Sequence, residues 1–397
     1  MAQAQIMNLT GNQAVAYAMK QINPDVVPAY PITPQTPIVE EFATFVANGV
    51  VETELVRVES EHSAMSSAIG SAAAGARTMT ATSSQGLALM WEELYIASGL
   101  RLPIVLINVN RALSAPINIH CDHSDAMGAR DSGWIMIFNE NAQEAYDTTI
   151  CAVKIAEDKR VFLPVMINYD GFTISHSIDR VEVLDDTTVR EFVGSYNPPY
   201  NMLEKPITVG PFDSLGGFYY EFKKAQSDAI ERSLSVIQEV YDQYAAISGR
   251  HYHHLESENI ENADIVFIIM GSLTGSVREK VNQYRSQGIK AGLIKVRTFR
   301  PFPGDQLAQM VAGTKLLVVF DRANSPGAEF APLASDVAAS LFKAGKVMPI
   351  INVIYGLGGR DLELDEIDEV LNFSLKVLSG DKKPRKIWIS LKGKEVE

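Results

Sequence analysis

The chain has 397 residues, 46% hydrophobic and 21% charged, the balance of a soluble globular protein with room for about two cores. Its 35 basic and 48 acidic residues leave a formal charge of −13, which disfavours a nucleic-acid surface. No apolar run approaches the roughly 20 residues that span a bilayer, and the opening Met1-Ala2-Gln3-Ala4-Gln5 has neither the basic nor the apolar part of an export signal, so a cytoplasmic location is expected.

In chain order, the first two hundred residues alternate between helical and strand-like segments. Residues 11–22 carry an amphipathic helical pattern and 26–30 an apolar strand. Helix 36–46, strand 55–58 and an Ala/Ser/Gly-rich helix over 63–76 follow. Then come strand 78–81, helix 87–97, strand 104–109, helix 142–157 and strand 165–169. This alternation predicts a parallel sheet covered on both faces. Residues 196–256 change character, with Pro and Gly punctuation and then a long polar helix over 221–247. A second α/β unit follows, with strands over 264–270, 291–296, 315–320 and 349–354 and helices over 276–287 and 331–344.

Several segments carry candidate chemistry. In Tyr30-Pro31-Ile32-Thr33-Pro34 the two prolines fix an extended turn between strand and helix, where α/β proteins place ligand contacts. A matching turn, Thr80 to Gly86, contains Gln85. Glu59-Ser60-Glu61-His62 offers two carboxylates at a helix start, and the residues alone do not choose between Glu59 and Glu61. Arg111 follows a buried strand and is placed to clamp a carboxylate. In Asp122-His123-Ser124-Asp125, His123 lines a cavity or helps to hold a loop; His120 has the weaker claim. His251-Tyr252-His253-His254 lacks the spacing of a metal site and reads as a solvated helix end. Gly271 to Gly275 lacks a nucleotide-loop spacing and reads as a tight turn. The two cysteines, Cys121 and Cys151, are too few for an iron–sulfur cluster, which usually takes four thiolates, and read as buried free thiols.

Taken together, YPITP, ESEHSA, TMTATSSQGLALM, NVNRALSAP with CDHSD, VRTFRPFP and YGLGGR resemble the α subunit of the multi-subunit 2-oxoacid:ferredoxin oxidoreductases, closest to the pyruvate type. The resemblance implies three regions. They are a thiamine pyrimidine-binding parallel-sheet domain over 1–195, a connector with a long helix over 196–258, and a transketolase C-terminal-like α/β domain over 259–397. It also implies oxidative decarboxylation of pyruvate with CoA to acetyl-CoA and CO2, with ferredoxin reduced. Cleaving a 2-oxoacid between C1 and C2 leaves a carbanion that no side chain delocalises, whereas thiamine diphosphate does.

By the same resemblance, Glu61 activates the cofactor pyrimidine and Gln85 lies near it. Thr33 and Arg111 are the family's substrate contacts, and His123 is kept beside them as a candidate from its loop. No GDG segment for the metal–diphosphate end is present. That end, Mg2+ and the [4Fe-4S] clusters are thereby expected on partner β, γ and δ subunits, with ferredoxin as acceptor. A branched-chain 2-oxoacid enzyme is the near alternative. The 2-oxoglutarate enzymes fit less well, because Arg111-Ala112-Leu113-Ser114-Ala115-Pro116 departs from their pattern. A non-catalytic scaffold subunit is the third reading.

Overall fold

A computed structural model describes residues 5–204 and 207–393. The first unit is built on a five-stranded sheet, ordered Thr298–Arg300, Ile135–Phe138, Val165–Asp170, Val105–Asn110 and Met79–Thr82. The four strands from this half of the chain run parallel. They are fully buried, as strands covered by helices on both faces must be. A parallel pair, Val26–Ala29 and Glu54–Arg57, extends this layer through a bridge between Val26 and Thr78. Helices Gly11–Ile22, Thr36–Ala47, Glu61–Ala73 and Ala142–Glu157 follow the expected pattern.

Where sequence and structure differ, the reasons are local. Helix 87–97 is two helices, Ser84–Leu89 and Trp91–Gly99, broken at Met90, whose ψ of −2° ends the first. Gln5–Thr10 and Ile178–Val183 form a separate antiparallel pair. The first strand is half solvated and gives little hydrophobic alternation to read. Tyr219–Ser248 is the long helix, 30 residues from end to end.

The second unit is a six-stranded sheet, ordered Lys386–Trp388, Ile350–Ile354, Leu316–Asp321, Ile265–Ile269, Ala291–Val296 and Leu255–Glu258. All pairs are parallel except the last, so this sheet already begins at Leu255, inside the stretch read as connector. Thr298–Arg300 crosses back to pair antiparallel with Ile135–Phe138 of the first sheet. One apolar core is shared between the units. Met65, Leu94, Trp134 and Phe138 from the first pack in the same cluster as Val266, Phe299, Leu317 and Leu333 from the second.

A seam of buried charges runs beside that shared core. Arg297, with no exposed surface, donates to Glu144 at 2.7 Å and to Glu256 at 2.6 Å. Lys295 pairs with Glu140 at 2.9 Å and also reaches Glu144 and Glu256. Burial alone would raise the Glu144 carboxyl, but Arg297 and Lys295 outweigh it and hold the group at about 2. On the other side, Asp147 accepts from Arg250, Tyr244 and Tyr252 and pins the end of the long helix.

Candidate active site

Helix Glu61–Ala73 begins with Ser60 as N-cap, its hydroxyl accepting from the Ser63 amide. Glu61 is therefore the first helical residue. It is only 7% exposed, and its carboxylate has no hydrogen bond or ion pair among the described residues. It lies against the start of helix Ser84–Leu89. A Cβ built on Gly86 would stand 2.9 Å from Glu61 Oε1 and 2.3 Å from Thr82 Oγ1, so the close approach requires glycine there. The Thr82 hydroxyl is itself buried, with no partner among the described residues. Glu59, by contrast, faces solvent and accepts from the Ser63 hydroxyl, which lowers its carboxyl below the usual range. The ambiguity between the two carboxylates thus becomes a difference in surroundings: one buried and unpaired, the other solvated and bonded.

Arg111 leaves the end of strand Val105–Asn110 and is 7% exposed. Its Nη1 donates to the Thr33 carbonyl at 2.9 Å and its Nε to the Asn118 carbonyl at 3.0 Å. Nη2 has no partner among the described residues. Burial lowers the guanidinium from its ordinary value, and Asp125 partly offsets this. Thr33 is exposed on the turn, whose other end is anchored by Asn12 donating to the Pro34 carbonyl at 2.8 Å. Gln85 accepts from the Ser84 hydroxyl at 2.6 Å and is half-buried beside Gly86. Direct contacts therefore connect the turn at Thr33 to Arg111, and the turn at Gln85 and Gly86 to Glu61. Asp125, which sequence reasoning left unassigned, joins the two groups by accepting from both the Arg111 and Ser84 amides at 3.0 Å.

His123 is placed differently. It is 1% exposed, and its Nε2 meets Asp170 Oδ1 at 2.7 Å. Asp170 also accepts from Arg322 Nη1 at 2.7 Å and from the Ser272 amide at 3.0 Å. Burial alone would raise the Asp170 carboxyl; Arg322 and His123 bring it far below its usual range. Nε2 of His123 is thus engaged at a junction between the two units. Gly271 to Gly275 proves to be a turn docked on that junction, with Thr274 opening the next helix. His120 is exposed on the neighbouring loop, 5.1 Å ring to ring from Phe172. The histidines over 251–254 do not converge. His251 and His253 are exposed, while His254 is buried between Thr298 and the Leu234 carbonyl and pushed down to about 4 by desolvation. The solvated-end reading therefore fails for His254, because the returning chain covers it. Both cysteines are buried and free.

An apolar cavity of about 360 Å³ also opens beneath the connector, lined by Leu100, Phe162, Val209 and Phe222. Its one charged lining group, Arg101, is spent on the Val161 and Phe162 carbonyls.

Residues 17–242 match the profile of the pyruvate flavodoxin/ferredoxin oxidoreductase, thiamine diphosphate-binding domain. The chain belongs to that family. Residues 263–367 match the core domain II of pyruvate:ferredoxin oxidoreductase. The pyruvate synthase subunit PorA of Thermotoga maritima is 52% identical over 90% of this chain and 92% of its own length. That of Methanocaldococcus jannaschii is 44% identical over 97% of each. The ketoisovalerate oxidoreductase subunit VorA of Pyrococcus abyssi is 41% identical over 97% of each. Among solved structures, the 2-oxoglutarate:ferredoxin oxidoreductase of Magnetococcus marinus aligns with a TM-score of 0.72 at 21% identity. It covers 94% of this chain and 66% of that one, which is likeness of fold.

The residues present fit the pyrimidine end of the family's cofactor. The Glu61 carboxylate and the Thr82 hydroxyl, both without a hydrogen-bond partner among the described residues, come together against Gly86, whose lack of a side chain permits the close approach. The arrangement also sits where parallel α/β sheets bind ligands, at the carboxyl ends of strands Met79–Thr82 and Val105–Asn110.

Proposed function

We propose that this chain is the α subunit of a pyruvate:ferredoxin oxidoreductase, oxidising pyruvate with CoA to acetyl-CoA and CO2 and passing electrons to ferredoxin. The observation that carries the reading is Glu61, buried and unpaired against Gly86 in a chain 52% identical to a pyruvate synthase subunit. Thiamine diphosphate supplies the electron sink for the decarboxylation. Glu61 would hold a proton toward the pyrimidine ring nitrogen, and Gln85 would border the cofactor from the neighbouring turn. Arg111 offers its spare Nη2 to the substrate carboxylate while Nη1 holds the Thr33 carbonyl, a bond that supports Thr33 as a second contact for the same group. His123 acts behind them, in the junction with Asp170, and holds the loop that follows Arg111.

The division of labour follows from what the residues offer. Residues 1–195 carry the pyrimidine side, 196–258 connect and contribute the strand Leu255–Glu258 to the second sheet, and 259–397 brace the site from behind. Two buried cysteines cannot ligate a [4Fe-4S] cluster. The clusters, Mg2+ and the diphosphate end of the cofactor accordingly belong to β, γ and δ subunits, in a cytoplasmic assembly. Reconstituting that assembly and assaying a panel of 2-oxoacids with a viologen acceptor tests the reading. Pyruvate should be the preferred substrate, and the isolated chain should bind no iron and turn nothing over. Preference for 2-oxoisovalerate would assign the chain to the branched-chain enzyme instead, and reduction by no 2-oxoacid would leave it a scaffold.

A further inference from the structure

Asp125 is 3% exposed and belongs to the short helix Ser124–Ala129, directly behind the candidate site. One oxygen, Oδ2, accepts from two backbone amides in different segments, Ser84 at 3.0 Å and Arg111 at 3.0 Å. The other, Oδ1, accepts from Asn110 Nδ2 at 2.9 Å and from the Ala126 amide at 2.7 Å. Ser84 begins the helix that presents Gly86 to Glu61 and adopts a φ of +49°, a strained value for a residue with a side chain. A single carboxylate thus ties the turn facing Glu61 to the arginine facing Thr33.

We propose that Asp125 is the positioning residue of this site, its ionised carboxylate holding the Ser84 and Arg111 backbones in register so that the cofactor slot and the substrate arginine stay aligned. This rests on the function proposed above. Only an ionised carboxylate offers acceptors to all four donors; a protonated one turns an oxygen into a donor and sets it against an N–H.

The group also titrates in a useful range. Burial raises its carboxyl to about 6, although the bonds from Asn110, Arg111, Ser84 and Ala126 all act to lower it. The ionisable neighbours are Arg111, at the strand end, and Cys121, on the preceding loop, whose thiol burial pushes up and keeps neutral. Ser84 and Asn110 bring only uncharged donors. Because the folded value lies above the ordinary 3.8, the folded protein binds the proton more readily than the unfolded one does between those two values. This group therefore favours folding as the pH falls through that window, even while its positioning role is lost. Acid inactivation and acid unfolding become separable.

Three measurements on the assembled complex decide the matter. Wild-type kcat/KM for pyruvate should fall on the acid side with a midpoint near pH 6, without loss of assembly. Asn110→Ser withdraws the amide donor that favours the ionised form, leaving only a hydroxyl on a shorter side chain, and should move that midpoint upward. In Asp125→Asn, hydrogen exchange in peptides covering residues 83–86 and 110–112 should quicken by roughly tenfold or more, and the acid limb should vanish along with most of the turnover. Exchange that stays at wild-type rates in Asp125→Asn overturns the proposal. If that variant does not assemble, an acid limb that is absent from the wild type, or that stays fixed in Asn110→Ser, overturns it as well. A wild-type complex that oxidises no 2-oxoacid would refute the function proposed above, and the exchange measurement would still judge Asp125.

Discussion

The candidate site and the seam between the units both bury carboxylates, yet they treat them in opposite ways. At the seam every carboxylate is paired: Glu144 and Glu256 with Arg297 and Lys295, Asp170 with Arg322 and His123, Asp147 with Arg250. At the site, Glu61 is 7% exposed and has no partner among the described residues, beside a buried Thr82 hydroxyl that has none among them either. Burying a polar group without a hydrogen bond is costly, so a folded protein tolerates it where a ligand supplies the bond. On the function proposed above, an unpaired carboxylate such as Glu61 meets the ligand, whereas paired or fully bonded ones hold the structure.

The sharpest way to break the comparison is Glu61→Gln in the assembled complex. The amide keeps the volume but holds the proton poorly, and turnover should fall about 10²–10⁴-fold. Assembly and thermal stability should hold, since no internal ion pair is lost. A collapse of stability with intact specific activity would place Glu61 with the seam instead. Gly86→Ala offers a second approach from the facing side. Its methyl would meet Glu61 and Thr82 at under 3 Å, so cofactor affinity should drop while the rest of the fold persists, as titration of thiamine diphosphate into the complex would record.

The seam predicts the reverse pattern. Arg297→Met leaves Glu144 and Glu256 with Lys295 alone, and removing one partner of a buried pair costs about 3–5 kcal/mol. The melting temperature should fall accordingly, with the pyruvate KM little changed in the protein that remains folded. The acid limb of stability moves too. Glu144 is held at about 2 against an ordinary 4.5, so its stabilising contribution is present above pH 4.5 and disappears as the pH falls through its folded value. Without Arg297 that folded value rises, and acid unfolding should begin at higher pH than in the wild type.

Arg111 tests the substrate half of the site. Arg111→Ala should raise the pyruvate KM by the equivalent of about 1.5–3 kcal/mol, with the KM for CoA unchanged. Arg111→Lys keeps the charge but cannot reach Thr33 and substrate with one planar fork, so it should recover only part of that loss. Unchanged pyruvate kinetics in both variants would make Arg111 a loop anchor for Asn118 and Thr33.

How much of this was legible beforehand depended on whether the information was local. The alternating strands and helices, the proline-bracketed turn at Thr33 and the strand-end placement of Arg111 are short-range features, and they read directly. What joins distant segments did not. Thr298–Arg300 adding to the first sheet, Arg297 reaching Glu144 and the Asp170–Arg322 pair each depend on two parts of the chain meeting in space. Asp125 stood in view within CDHSD, but only the packing of Ser84 against Arg111 gives its carboxylate two amides to hold. The burial of His254 was hidden for the same reason.

The smallest effect completes the comparison. Glu59 and Glu61 are two residues apart at one helix start, and their local sequence gives each the same attraction to the helix dipole. Folding separates them: Ser60 caps the helix between them, Glu61 turns inward against Gly86, and Glu59 remains in water with the Ser63 hydroxyl as its partner. A solvated carboxylate that has a replaceable partner is dispensable, since water supplies the lost hydrogen bond. Glu59→Gln should therefore leave turnover within about twofold of wild type and the melting temperature nearly unmoved. Assayed beside Glu61→Gln, it asks whether burial without a partner, rather than position in the motif, identifies the working carboxylate. A large loss of turnover in Glu59→Gln with little in Glu61→Gln would reverse the assignment, and the unpaired state of Glu61 would then need an occupant other than the cofactor.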